Sequence, residues 1–215
     1  MIYYLLNQDL NIVQYISFRA AGAAITALII SFLIGPKIIR TLNNHQFGEK
    51  IRKNGPDLHL HKEGTPSMGG IIILLSIILP TILWAKLSNP FIIIILISII
   101  WMGIIGFIDD YLKIKKHYSD GLIARYKLAG QMILGIFISY VIFQENSIIN
   151  YNLISDNKNI DLISVSNIST PFIANGVFNI GFLYIPLIII IITGTSNAVN
   201  LTDGLDGLAT GLVAI

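Results

Sequence analysis

Residues 87–110 read LSNPFIIIILISIIWMGIIGFIDD, and the fold is decided by that stretch: 22 uncharged and mostly apolar residues run without a break into the paired acids Asp109 and Asp110. A run of this length matches the roughly 20 apolar residues a helix needs to cross the hydrocarbon core of a bilayer. Working outward, further charge-free stretches extend over 20–36, 64–85 and 128–143, and a fifth, dense in Ile, over about 177–193. A sixth begins after Asp206 and is cut at Ile215. The sequence therefore predicts an all-α polytopic transmembrane helix bundle, with five complete spans and the start of a sixth. Residues 1–215 are expected to form one integral-membrane domain, the N-terminal part of a longer protein.

Composition agrees. Hydrophobic residues make up 54% of the 215 and charged residues only 12%, about half the usual soluble share of roughly 25%. The mean hydropathy is +0.73. A formal net charge of +2 is too small to indicate a nucleic-acid partner. The absence of cysteine excludes disulfides, thiolate catalysis and Cys-ligated metal. The polar run 7–11 precedes the first apolar stretch, which lacks a small-residue cleavage site, so it reads as a retained span and not as a signal peptide.

The charges that remain give an orientation. Lys37, Arg40, Lys50, Arg52, Lys53 and Lys62 fall between the first two spans, and Lys113, Lys115, Lys116, Arg125 and Lys127 between the third and fourth, together 11 of the 14 basic residues. By the positive-inside rule both loops are cytoplasmic, and alternation places 194–206 on the same side. Topology by itself accounts for most of these charges. The polar stretch 145–176 then lies outside. Partial alternation over 160–167 and the Asn175-Gly176 turn signal predict a small hairpin there. Asn167-Ile-Ser169 fits a glycosylation acceptor, a pattern frequent by chance.

Three polar clusters come out on the cytoplasmic side. Asp109 and Asp110 are placed where the third span ends; adjacent carboxylates repel, and a divalent cation or a basic neighbour such as Lys113, Lys115 or Lys116 compensates. The bland alternative is a helix end reaching its acids into the headgroups. In the second cluster Asn197, Asn200, Asp203 and Asp206 recur every three residues, interleaved with Gly204 and Gly207. Helix capping explains one or two of these acids but neither Asn. The third runs from His59 and His61 through Lys62 to Gly70, where a lysine, the hydroxyls of Thr65 and Ser67 and amides near a helix start suit a diphosphate. Two His at i, i+2 with no Cys make a poor zinc site.

At these residues the chain resembles the polyprenyl-phosphate N-acetylhexosamine-1-phosphate transferase superfamily, the glycosyltransferase 4 family. Gly106-Phe-Ile-Asp-Asp-Tyr111 and Asn197 through Gly207 carry that likeness, which covers essentially the whole chain. Lys62-Glu-Gly-Thr-Pro-Ser-Met-Gly-Gly70, Gly121-Leu-Ile-Ala-Arg-Tyr-Lys127 and Thr202 before Asp203 resemble its phospho-N-acetylmuramoyl-pentapeptide-transferase branch. The resemblance implies a ten-helix bundle in the bacterial cell inner membrane, usually a homodimer. It also implies transfer of phospho-N-acetylmuramoyl-pentapeptide from its UDP carrier to undecaprenyl phosphate, giving lipid I and UMP in peptidoglycan synthesis, with Mg2+ required.

Carried over position by position, Asp109 and Asp110 match the acidic pair of the active site as catalytic and metal-binding residues. Lys62, Ser67, Asn200, Asp203 and Asp206 match nucleotide, diphosphate or inhibitor contacts, and Lys113 and Lys127 match basic residues near the phosphates. Ser67 stands where Thr is more usual, keeping the hydroxyl. A further metal-binding Asp and a His-rich loop are expected beyond Ile215, and the 215 residues alone are expected to be inactive. Three rival readings are a sister transferase of N-acetylglucosamine 1-phosphate, a cation-coupled transporter and a noncatalytic assembly subunit. Transporter sites lie near the bilayer midplane on interrupted helices, whereas the acids here are placed at span ends.

Overall fold

The computed structural model describes residues 3, 11–44, 68–115, 121–144, 166–169, 177–202 and 211. Among them are five long helices: α1 Ile16–Asn44, α2 Gly70–Trp84, α3 Pro90–Lys115, α4 Ala124–Gln144 and α5 Tyr184–Thr202. Four apolar helical stretches, over Ile16–Asn44, Pro90–Ile114, Ala124–Phe143 and Gly181–Thr202, have the length and composition to cross a membrane. The apolar α2 has 15 described residues, about 22 Å at 1.5 Å per residue. The protein is a multi-pass membrane protein of all-α class. Large side chains such as Phe32, Leu33 and Ile190 are exposed along these helices, a surface that water would penalise and hydrocarbon accepts. The expected sixth span lies outside the described residues except for Gly211.

The chain falls into two compact units, Met1–Ala124 and Arg125–Ile215. In the first, α1 and α2 pack antiparallel. Trp84, at the end of α2, lies against Gly22 and meets Phe18 edge-on with ring centroids 6.0 Å apart, while Ile72, near the start of α2, reaches Gly35 on α1. A two-residue turn at Leu87-Ser88 leads to Asn89, whose side-chain oxygen accepts the Phe91 N–H at 2.9 Å and so caps the start of α3. Pro90 then occupies the first helical position, where its missing N–H costs nothing. Leu74 on α2 packs against Gly103 on α3.

In the second unit α4 and α5 form an antiparallel helical hairpin. The buried positions of α4 are Gln131, Leu134, Gly135, Ile138 and Ser139, the i, i+3, i+4, i+7, i+8 pattern of a single helix face. Gly135 permits the close approach, since a Cβ there would stand 3.0 Å from the Ile189 Cα. At the other end Phe143 stacks on Phe182 at 6.3 Å and meets Tyr184 edge-on at 6.1 Å. The hairpin expected between these spans is present as β1 Asn167–Ser169 and β2 Val177–Asn179, antiparallel with Ile168 opposite Phe178. Its turn lies outside the described residues.

Two expectations need correction. The fifth span does not begin near Val177, because Val177–Asn179 is paired in the β-hairpin. The Asn179 side chain then accepts the Gly181 N–H at 2.8 Å, and Gly181 turns the chain with φ +52° into the helix. The span also does not end near Thr193; α5 continues to Thr202, so Asn197 and Asn200 stand on the helix, where three-residue spacing lines one side. Asp109 and Asp110 follow the uncharged run as expected, and α3 itself continues past them to Lys115. Charge marks where hydrocarbon ends, but backbone hydrogen bonding continues past it.

Candidate active site

The acidic pair is divided by the helix that carries it. Neighbouring residues on a helix point about 100° apart, so Asp109 and Asp110 meet different surroundings. Asp109 is buried at 7% exposure, and burial of a carboxylate demands partners. It has them: Oδ1 accepts the Leu122 N–H at 2.7 Å, and Lys113 Nζ lies 3.0 Å from Oδ2. Gly121 makes the first contact possible. Its φ of +64° is a left-handed conformation that favours glycine, and a Cβ at that position would collide with Asp109 Oδ1 and stand 2.8 Å from Lys113 Cε. The loop before α4 is therefore laid directly over the Asp109 carboxylate.

Asp110 faces a groove between α2 and α3 of about 270 Å³. Met68, Gly70, Ile71 and Leu74 line it from the start of α2, and Gly103, Gly106 and Phe107 from α3. The groove is apolar but for the carboxylate at its end. Lys113 Nζ is 3.8 Å from Asp110 Oδ1 as well as 3.0 Å from Asp109, so one ammonium stands between two carboxylates and offsets their repulsion. Met68 adopts φ 70°, an uncommon conformation for a residue other than glycine and a form of local strain that clusters at functional sites. Nothing in the sequence announced it.

Of the sequence-derived site residues, Asp109, Asp110 and Lys113 are brought together. Lys127 lies in the first turn of α4, and Asn200 is exposed in the last turn of α5. Lys62, Ser67, Asp203 and Asp206 lie outside the described residues, as do His59, His61 and Thr65. Asn197 is exposed but hydrogen-bonded: its amide donates to Gln131 Oε1 at 2.9 Å and to the Thr193 carbonyl at 2.7 Å. Gln131 was passed over in a stretch read only as charge-free. Its signal was an amide in hydrocarbon, where an unpaired polar group is costly.

As a metal site the described residues offer a partial set. No group of three or more His, Cys, Asp or Glu side chains gathers among them. Two adjacent carboxylates nevertheless fit Mg2+, which is bound by oxygen and commonly through one or two carboxylates together with substrate phosphates. Of the two, Asp110 faces the groove, whereas both oxygens of Asp109 are engaged.

Comparison with known proteins extends the picture. The phospho-N-acetylmuramoyl-pentapeptide-transferase signature 1 matches residues 62–74, the segment whose last residues line the groove opposite Asp110. Similar proteins carrying the name phospho-N-acetylmuramoyl-pentapeptide-transferase include those of Endomicrobium trichonymphae, 44% identical over 95% of this chain and 53% of the relative, and Chloroherpeton thalassium, 43% identical over 100% and 57%. That of Sorangium cellulosum is 42% identical over 96% of this chain and 54% of the relative. The chain spans a little more than half the length of these curated relatives. The family model for glycosyl transferase family 4 matches residues 92–215, taking in α3 with its acids, the loop over Asp109 and the α4–α5 hairpin, and on that match the chain belongs to glycosyl transferase family 4.

Proposed function

We propose that the protein transfers phospho-N-acetylmuramoyl-pentapeptide from UDP-N-acetylmuramoyl-pentapeptide to undecaprenyl phosphate, forming lipid I and UMP. The observation that carries this reading is the groove of the first unit, where Asp110 stands opposite the residues that end the signature segment 62–74. Basic loops on one side of the spans support a site facing the cytoplasm from the bacterial inner membrane, where soluble nucleotide donors are found. The names of the relatives support the muramoyl substrate over N-acetylglucosamine 1-phosphate.

In the reaction an oxygen of the acceptor phosphate attacks the sugar-bearing phosphorus of the donor. A new P–O–P bond forms, the bond to the bridging oxygen of UMP breaks, and UMP leaves with the electron pair. Both partners are anions, so positioning and neutralisation of charge set the rate. Asp110 receives the acceptor's proton and orients its oxygen. Lys113 and Lys127 hold phosphate oxygens, with Lys62, Ser67, Asn200, Asp203 and Asp206 on the nucleotide and diphosphate. Asp109 keeps Lys113 and the 121–123 loop in place. Asp110, with Asp109 beside it, would hold Mg2+, which when bound would supply further neutralisation of the developing charge. The working form is a homodimer.

The test incubates the purified full-length protein in detergent with UDP-N-acetylmuramoyl-pentapeptide, undecaprenyl phosphate and Mg2+. Release of UMP that EDTA suppresses and Mg2+ restores is the expected result. Release only with UDP-N-acetylglucosamine moves the protein to the sister activity, and no release with either donor removes the transferase reading.

A further inference from the structure

Gln131 stands about 10 Å along α4 from its start, at the 1.5 Å rise per residue of a helix, and is only 4% exposed. Its amide is used at both ends. Nε2 donates to Ser196 Oγ at 3.0 Å, and Oε1 accepts from Asn197 Nδ2 at 2.9 Å. Ser196 and Asn197 are consecutive on α5 and so stand about 100° apart around its axis. One bond would leave α5 able to roll about its own axis; two bonds from one planar amide to two directions fix the rotation. Just below, Gly135 lies against Ile189, which fixes the separation of the axes.

Asn200 follows Ser196 by four residues and Asn197 by three, which places it one helical turn beyond the clamp on the same side of α5. Within the described residues Val199, Asn200 and Leu201 are all exposed, and the interhelical bonds nearest to this last turn are those of Ser196 and Asn197. We propose that Gln131 is a positioning residue for the donor site: by locking the rotation of α5 through Ser196 and Asn197, it aims Asn200 at the nucleotide-linked diphosphate. The inference rests on the reading of Asn200 as a donor contact.

The experiment uses full-length protein in detergent, with the UDP-linked donor and undecaprenyl phosphate varied separately. Gln131→Leu keeps the volume and removes both bonds; it raises KM for the donor about tenfold, the order expected for losing two interhelical hydrogen bonds in a membrane, and leaves KM for the acceptor unchanged. Ser196→Ala removes one bond and raises donor KM about threefold. In an Asn200→Ala background Gln131→Leu adds nothing further to donor KM, because the group it aims is gone. A uniform fall in kcat with both KM values unmoved marks a purely structural bond and overturns the proposal, as does full additivity with Asn200→Ala. Should Gln131→Leu fail to accumulate in the membrane, an unmoved donor KM in Ser196→Ala overturns it. Asn200→Ala alone separates the two levels. If it leaves donor KM unchanged, the donor-site reading of Asn200 fails and the clamp with it; if it raises donor KM while Gln131→Leu does not, the clamp alone fails.

Discussion

The end of α3 and the seam between α4 and α5 both bury polar side chains in an apolar protein, and they do so by opposite means. At the end of α3 the groups are charged and the compensation is local. Lys113 is four residues from Asp109, and the other partner is a backbone N–H of the loop that follows. In the seam the groups are neutral amides and a hydroxyl, and the partners come from a helix some 65 residues away in the chain. The difference follows from the medium. Ions are tolerated where a helix leaves hydrocarbon and can be neutralised at once, whereas further in only a neutral group with its hydrogen bonds satisfied is affordable. Charge thus stands where a local partner can neutralise it, and paired amides stand where two helices meet.

The sharpest way to break that contrast is at the acids themselves. Asp110→Asn is expected to cut UMP release about 10²–10⁴-fold, the usual contribution of a positioned proton acceptor, with the thermal midpoint unchanged. Asp109→Asn keeps an oxygen for the Leu122 N–H and is expected to lose about tenfold, by an interaction of a kilocalorie or so. Equal losses in the two variants would erase the division between a carboxylate that lines the groove and one that holds the loop.

Next in size is Gly121→Ala. The residue sits at φ +64° against the Asp109 carboxylate, and the substitution is expected to cost about 1–3 kcal/mol in stability, the range for a strained backbone position. Activity is expected to fall with it, since the loop can no longer lie on Asp109. Unfolding followed by tryptophan fluorescence, alongside UMP release, measures both. Normal activity in this variant would show that the loop contact is not needed for turnover.

Gly135→Ala tests the seam by the same logic without charge. The added methyl would stand 2.9 Å from Ile189 Cγ1 and 3.0 Å from its Cα, so α4 and α5 must separate, at a cost of about 1–2 kcal/mol from overpacking. A lower unfolding midpoint is expected, with the larger kinetic effect on donor KM. The smallest effect belongs to Ser139→Ala. Although Ser139 is buried, its hydroxyl returns only to the Gly135 carbonyl of its own helix at 2.7 Å, so stability should stay within about 0.5 kcal/mol of the parent. A large loss there would mean that the seam continues beyond Gly135.

The sequence made the spans legible because a bilayer imposes one strict rule on composition over 20 residues, and 87–108 carries no charge and is mostly apolar. A small hairpin between the fourth and fifth spans was legible as an element, and the pairing of β1 with β2 bears it out, while its turn lies outside the described residues. The boundary of α5 was not, because Val177-Phe178-Asn179 is as apolar as the helix that follows, and only pairing with Asn167–Ser169 removes it from the span. The acids of α3 could be named from their position after an uncharged run. Their division of labour could not, since it depends on Leu122 folding back over one carboxylate and Met68 and Gly70 lining a groove with the other.

By itself, then, the sequence determined that the chain is a membrane-embedded helix bundle, which loops carry its positive charge and which acids stand beside them, because hydrocarbon sorts residues by polarity one segment at a time. Tertiary structure alone decided that Asp109 is a loop anchor and Asp110 a groove residue, and that Gln131 reaches Ser196 and Asn197. These are distances between residues on separate elements or on opposite sides of one helix. No local pattern encodes them, because they arise only when helices of fixed shape are packed together.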